Sequence, residues 1–88
     1  MLLKYERSFL KDIQKLQDKK IAKKLQTLFE TFEQEENLQS IPNIKKLKGY
    51  DTYYRVKIGS YRLGFSFEDN QIDIIRFLHR KDIYKLFP

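Results

Sequence analysis

Three basic side chains crowd one short stretch, YYRVKIGSYRLGF, running from Tyr53 to Phe65. Gly59-Ser60 suits a two-residue II′ turn, because glycine accepts the positive φ that the first turn position requires. Pairing outward from that turn sets Ile58 against Tyr61, Lys57 against Arg62, Val56 against Leu63 and Arg55 against Gly64. Side chains alternate along a strand, so Tyr54, Val56, Ile58, Tyr61, Leu63 and Phe65 share one face. Arg55, Lys57 and Arg62 share the other. Like charges directly opposite each other destabilise a sheet by roughly some tenths of a kcal/mol, so these are poor positions for charges that only keep a domain soluble. Such a face is suited to binding phosphate. Gly64, opposite Arg55, is expected to leave open space where a ligand backbone can approach.

The basic constellation continues on either side of the hairpin, with Lys45, Lys46 and Lys48 before it and Arg80, Lys81 and Lys85 after it. On patterning alone Lys45, Lys46 and Lys85 read as ordinary solubilising charge. Tyr53 lies in phase with Arg55 and Lys57 and is either a stacking platform for a base or an ordinary strand aromatic. Tyr84 could stack likewise, although its spacing with Ile83, Leu86 and Phe87 favours a core plug. Interleaved basic and aromatic side chains suit single-stranded RNA, where exposed bases stack and phosphates meet Arg or Lys. His79 is the only histidine; a lone histidine after a strand reads first as structural and second as an acid–base group. Glu68, Asp69 and Asp73 read as turn chemistry, since no spaced carboxylate motif accompanies them.

The elements that must position these groups follow from hydrophobic period. Leu2 to Glu6 suits a short strand. Phe9, Leu10, Ile13 and Leu16 then fall at helical spacing, with Ser8 as the expected N-cap. Ile21, Leu25, Leu28, Phe29 and Phe32 mark a second helix, joined to the first by the short Gln17-Asp18-Lys19, so the two form an antiparallel pair. This second helix has a basic start and an acidic end, against the helix dipole. Asn37 to Gly49 reads as a connector broken by Pro42 and Asn43. Tyr53–Ile58, Tyr61–Phe67 and Gln71–Leu78 form an antiparallel meander, with a polar turn at Glu68-Asp69-Asn70. The tail HRKDIYKLFP suits a last helical turn. The fold expected is α+β: a short strand, a helix pair and a three-stranded meander, with helices packed on one sheet face. The Arg55/Lys57/Arg62 face is then the uncovered one.

At 88 residues this is a single domain, 1–88, whose small core relies on seven Phe and six Tyr. The absence of cysteine removes disulfides, thiol nucleophiles and cysteine metal sites, and suits a reducing cytoplasm. One histidine makes a zinc site improbable, and no cofactor is expected. No apolar run is long enough for a signal peptide or a membrane span. The net charge of +6 is uneven. Residues 1–44 carry 8 basic and 7 acidic side chains, net +1, and residues 45–88 carry 10 and 5, net +5. The second half is thus the part expected to attract a polyanion.

Taken together, KLKG (Lys46–Gly49), YYRVKIGSYRLGF and LHRKDIY (Leu78–Tyr84) resemble the RelE/ParE superfamily of bacterial toxins, and more closely its RelE branch of mRNA interferases. The resemblance extends to the opening strand–helix–helix with FLKDIQKL. It implies a toxin that enters the ribosomal A site and cuts mRNA, the ribose 2′-OH attacking the adjacent phosphate without a metal. It implies Arg55 and Lys57 at the family's two basic strand positions, with Lys57 as general base or charge stabiliser. Arg62 would stabilise the transition state, Arg80 would bind phosphate or assist the leaving group, and Tyr84 would stack on the substrate base. Lys46, Lys48, Tyr53, His79 and Lys81 are expected to contact substrate, His79 with a secondary claim to acid–base work. Arg55 stands where the family can carry lysine, and arginine is a much poorer proton acceptor. The implied partners are a co-encoded antitoxin, the ribosome and mRNA. Two rival readings remain: a ParE-like inhibitor of DNA gyrase, and a noncatalytic RNA- or antitoxin-binding module.

Overall fold

The alternating stretch from Tyr53 onward builds most of a five-stranded sheet. A computed structural model describes residues 1–88. In chain order the elements are β1 (Leu2–Tyr5), α1 (Arg7–Gln14), α2 (Lys19–Gln34), β2 (Ile44–Lys46), β3 (Tyr53–Ile58), β4 (Tyr61–Glu68), β5 (Gln71–His79) and α3 (Arg80–Leu86). The strand order is β1-β5-β4-β3-β2. β1 runs parallel to β5 and the other pairs are antiparallel. The hairpin has the register expected of it, Lys57 opposite Arg62 and Arg55 opposite Gly64. Gly59 turns the corner at φ 58°. The next turn uses Asp69 and Asn70 at φ 53° and 62°, two residue types that tolerate the left-handed region.

The meander is longer than its alternation suggests, for two physical reasons. Ile44–Lys46, expected as part of a connector, adds a fifth strand: Ile44, Lys45 and Lys46 pair with Val56, Arg55 and Tyr54. Three residues are too few to show a period, and Pro42 with Asn43 at φ 61° disguises the strand's start. In β5 a bulge interrupts the alternation, since Gly64 pairs Arg76 but Phe65 pairs Ile74. Ile75 is the extra residue. The core positions accordingly shift phase, from Ile72 and Ile74 to Phe77.

The helix pair covers one sheet face. Phe9, Leu25 and Phe32 are buried against Val56, Leu63, Phe65, Ile72, Ile74 and Phe77. Phe9 near the start of α1 meets Phe29 near the end of α2 at 5.7 Å between ring centroids, as an antiparallel pair requires. Ser8 does not cap α1. Its hydroxyl donates instead to the Ile75 carbonyl at 2.6 Å, tying the helix to the bulge, and Glu6 occupies the cap position without a side-chain bond. Asp18 caps α2, accepting from the amides of Lys20 and Ile21 at 3.0 and 3.1 Å.

Beyond the end of β1, the outer edge of β5 is closed by α1. Asp12, 8% exposed, accepts from the Arg76 guanidinium at 2.8 and 2.9 Å and from the Phe77 amide at 3.0 Å. A side chain thus takes a ladder hydrogen bond that no strand supplies.

The face expected to be open is partly covered. The tail forms α3, which folds back over it, burying Ile83 and Phe87 apart from the main core. The space at Gly64 is filled from within the chain: a Cβ there would lie 2.7 Å from the Phe87 ring. Gly64 therefore makes room for the protein's own tail.

Candidate functional site

What α3 leaves uncovered is a cleft of about 300 Å³ between the tail, the hairpin and β2. It is lined by Asn43, Ile44, Lys45, Arg55, Lys57, Arg62 and Tyr84. Sheet register explains the gathering of charge. Lys45 opposes Arg55 and Lys57 opposes Arg62, so three strands send four cations to one face. The only ion pair in the protein is Arg76 with Asp12, on the far edge, so no carboxylate neutralises the cleft. Four unneutralised cations around a partly enclosed space form a receptor for a polyanion.

Two of these groups are held in place. Arg62 donates through Nη1 to the carbonyls of Gly59 and Tyr61, at 3.1 and 2.9 Å, which fixes its guanidinium beside the turn. The Arg55 Cζ sits 4.6 Å from the centroid of the Tyr84 ring. This cation–π contact contributes about 0.5–1 kcal/mol at an exposed site. Tyr84 is 66% exposed, so it is not the core plug that spacing favours; Ile83 and Phe87 take that part. Its ring is presented to solvent at the cleft's mouth, where a base can stack.

The remaining sequence-designated residues divide. Arg80 starts α3, exposed, with its amide donating to the Ser60 carbonyl at 2.8 Å, which anchors it beside the hairpin turn. Lys81 is exposed on α3. Tyr53 lies on the expected face, but its ring packs edge-on between Tyr50 and Phe87, at 5.4 and 5.6 Å. Lys48 is exposed beyond β2, outside the cleft lining. Lys46 opposes Tyr54 and so belongs to the helix-side face. His79 opposes Tyr61, packs edge-on against it at 5.7 Å, and accepts the Lys81 amide through Nδ1 at 3.2 Å. It faces a separate cavity of about 330 Å³ with Asp12, Arg76 and Asp82. Neither Lys46 nor His79 joins the cleft. Lys45, set aside as solubilising charge, does. Only the alternation of Ile44-Lys45-Lys46 opposite Tyr54–Val56 could have exposed it, and that requires knowing the connector contains a strand.

The seat of Phe87 on Gly64 ties Tyr84 to the sheet from the other end of α3. Gly64→Ala is expected to eject the ring and lower stability by about 1–3 kcal/mol. The Arg55–Tyr84 contact should weaken with it, seen as loss of nuclear Overhauser contacts between the two side chains. Combining Gly64→Ala with Phe87→Ala should cost less than the sum of the two, because the clash is then absent.

Similarity to known proteins matches this geometry. Residues 3–84 match the model of the ParE toxin of type II toxin–antitoxin systems. The chain is 35% identical over 89 residues to Toxin RelE3 of Methanocaldococcus jannaschii, covering 100% of both. It superposes on a chain of the RelB–RelE antitoxin–toxin complex from Methanococcus jannaschii with a TM-score of 0.84 and 34% identity, over 97% of this chain and 99% of that one. The YoeB dimer from Staphylococcus aureus gives 0.72 and 25%, over 90% and 95%. With its opening strand and helix pair, its hairpin sheet and its basic cleft under a tail helix, the chain belongs to the ParE/RelE family of toxins of type II toxin–antitoxin systems.

Proposed function

We propose that the protein is a ribosome-dependent endoribonuclease that cuts mRNA in the A site and is silenced by a cognate antitoxin. The observation that carries this reading is the single cleft holding Arg55, Lys57, Arg62 and Tyr84, four of the five catalytic residues that the sequence designates. The reaction requires the 2′-OH oxygen to attack phosphorus as the bond from phosphorus to the 5′-oxygen breaks. A proton leaves the 2′-OH and another reaches the departing oxygen. The products are a 2′,3′-cyclic phosphate and a free 5′-hydroxyl.

The residues sort by what each can do. Arg62, immobilised by two carbonyls, stabilises charge on the pentavalent phosphorus without reorganising at the moment of reaction. Lys57 faces it across the hairpin and takes the 2′-OH proton, since an arginine is far too basic to cycle one. Lys45 and Arg55 bind flanking phosphates, Tyr84 orients a base, and Arg80 stabilises charge on the departing oxygen, which takes its proton from water. Groups spread so openly hold a flexible strand poorly by themselves, which agrees with a need for the ribosome to present the substrate in line. The relative's structure, a RelB–RelE antitoxin–toxin complex, supports an antitoxin as the protein partner. The chain's basic, partly apolar surface fits an acidic segment that folds on binding.

The test is product chemistry. Purified protein incubated with a translating ribosome complex should release fragments with 5′-hydroxyl ends and 2′,3′-cyclic phosphates, while naked mRNA is cut little. Fragments with 5′-phosphates, or equal cutting of both substrates, would count against the proposal.

A further inference from the structure

The basic start of α2 lies outside the cleft and has no part in the chemistry above. Lys19, Lys20, Lys23 and Lys24 fall within residues 19–27, a stretch with no acidic residue. This arrangement is costly in two independent ways. Lys19 with Lys23, and Lys20 with Lys24, are like-charge pairs at i,i+4, each destabilising. Two of the four, Lys19 and Lys20, also sit in the first turn, at the positive end of the helix dipole, where acidic side chains are favoured. None forms an ion pair. As in the hairpin, positive charge is concentrated where folding disfavours it.

Position connects this patch to the cleft. The first turn of α2 abuts the hairpin turn, since Ile21 Cδ1 lies 3.0 Å from where a Gly59 Cβ would be. Lys24 and Thr27 share a shallow groove with Asn43 and Lys57, and those last two also line the cleft. Lys20, Lys23 and Lys24 border a second open depression beside it. The helix amides are not the attraction, because Asp18 already occupies them. The side chains are, and they continue the cleft's cations around the hairpin turn onto the helix.

We propose that Lys20, Lys23 and Lys24 form a second phosphate-contacting surface that grips the backbone of folded, double-stranded RNA while the cleft holds the single strand to be cut. The proposal rests on the nuclease reading above and adds to it a docking surface for structured RNA. Lysines on one helix face carry charge without stacking groups, so they suit the regular phosphate rows of a duplex more than splayed bases.

The test compares the whole protein with a Lys20→Gln/Lys23→Gln/Lys24→Gln variant. The probe is a blunt synthetic RNA duplex of about twenty base pairs, which offers no strand to cleave. If three phosphate contacts are lost, the slope of log affinity against log salt should fall in magnitude by about 2.7, and affinity at low salt by tenfold or more. The variant should melt no lower than the parent, and about 3 °C higher is expected, because both like-charge pairs are broken and one of the two first-turn lysines is neutralised. Cleavage on ribosomes should fall while the position of the cuts is unchanged. Unchanged duplex affinity and salt slope in the well-folded variant would overturn the proposal, whatever the cleavage assay gives. Weaker duplex binding in a protein that never cuts mRNA would keep the surface and remove the nuclease reading instead.

Discussion

Arg62→Ala is expected to lower ribosome-dependent cleavage by about 10²–10³-fold, the effect of removing one well-placed donor to a developing oxyanion. Arg62 is the cleft cation whose geometry is most firmly set, by carbonyls of its own hairpin. Its loss should leave the fold intact: the side chain lies on the face opposite the main core, and its two hydrogen bonds are at the exposed turn. The expected melting temperature is within a few degrees of the parent, and loss of toxicity should accompany normal solubility. Arg62→Lys should rescue only in part, because an ammonium keeps the charge without the planar fork that grips two oxygens. A variant that cuts at the parental rate would remove Arg62 from the reaction.

The second large effect is on folding. Asp12→Ala is expected to cost about 3 kcal/mol, because it strands the Arg76 guanidinium and the Phe77 amide at the closed edge of β5. The Arg76 side chain is 23% exposed and can reach some water, which places the loss at the lower end of the range for broken buried pairs. For a domain of this size the melting temperature should fall by about 12–24 °C. Asp12→Asn keeps the acceptor for the Phe77 amide and should cost clearly less. Asp12 lies across the sheet from the cleft, so at low temperature the folded fraction should cleave normally. Thermal unfolding followed by circular dichroism separates the two variants.

Some of this architecture is legible in the sequence for definite reasons. A two-residue turn with glycine first leaves the hairpin one register, and that register alone puts Arg55, Lys57 and Arg62 together. The helix pair is legible because its apolar period is long and its connection short. The rest depends on tertiary contacts that leave no local pattern. β2 is three residues long, and it is their pairing with β3 that makes Lys45 a cleft residue. The bulge at Ile75 is set by the partner strand and by Ser8, and the sequence of β5 alone shows only a run of apolar residues. The tail's apolar residues announce burial, but not that Phe87 would use the absent side chain of Gly64 as its seat. Tyr84 illustrates the limit well. Helical spacing groups it with Ile83 and Phe87, yet the helix turns it outward onto Arg55.

The placement of His79 bears on the proton transfers. On the helix-side face, against Tyr61, it is separated by the sheet from Lys57 and Arg62. The proposed proton abstraction therefore relies on Lys57, with Arg80 of the tail supplying only charge, and His79 acts at the start of α3, accepting the Lys81 amide. Its effect on activity would be through the position of the helix that carries Tyr84.

Cutting of mRNA on the ribosome by this cleft should leave a direct trace in the cell. Mapping mRNA 5′ ends across a transcriptome after brief induction, for the parent protein and for Arg62→Ala, tests it most directly. New 5′-hydroxyl ends are expected inside translated reading frames, in phase with codons, for the parent and none for Arg62→Ala. An unchanged 5′-end map accompanied by gyrase-dependent DNA breaks would contradict it and place the protein's target on DNA.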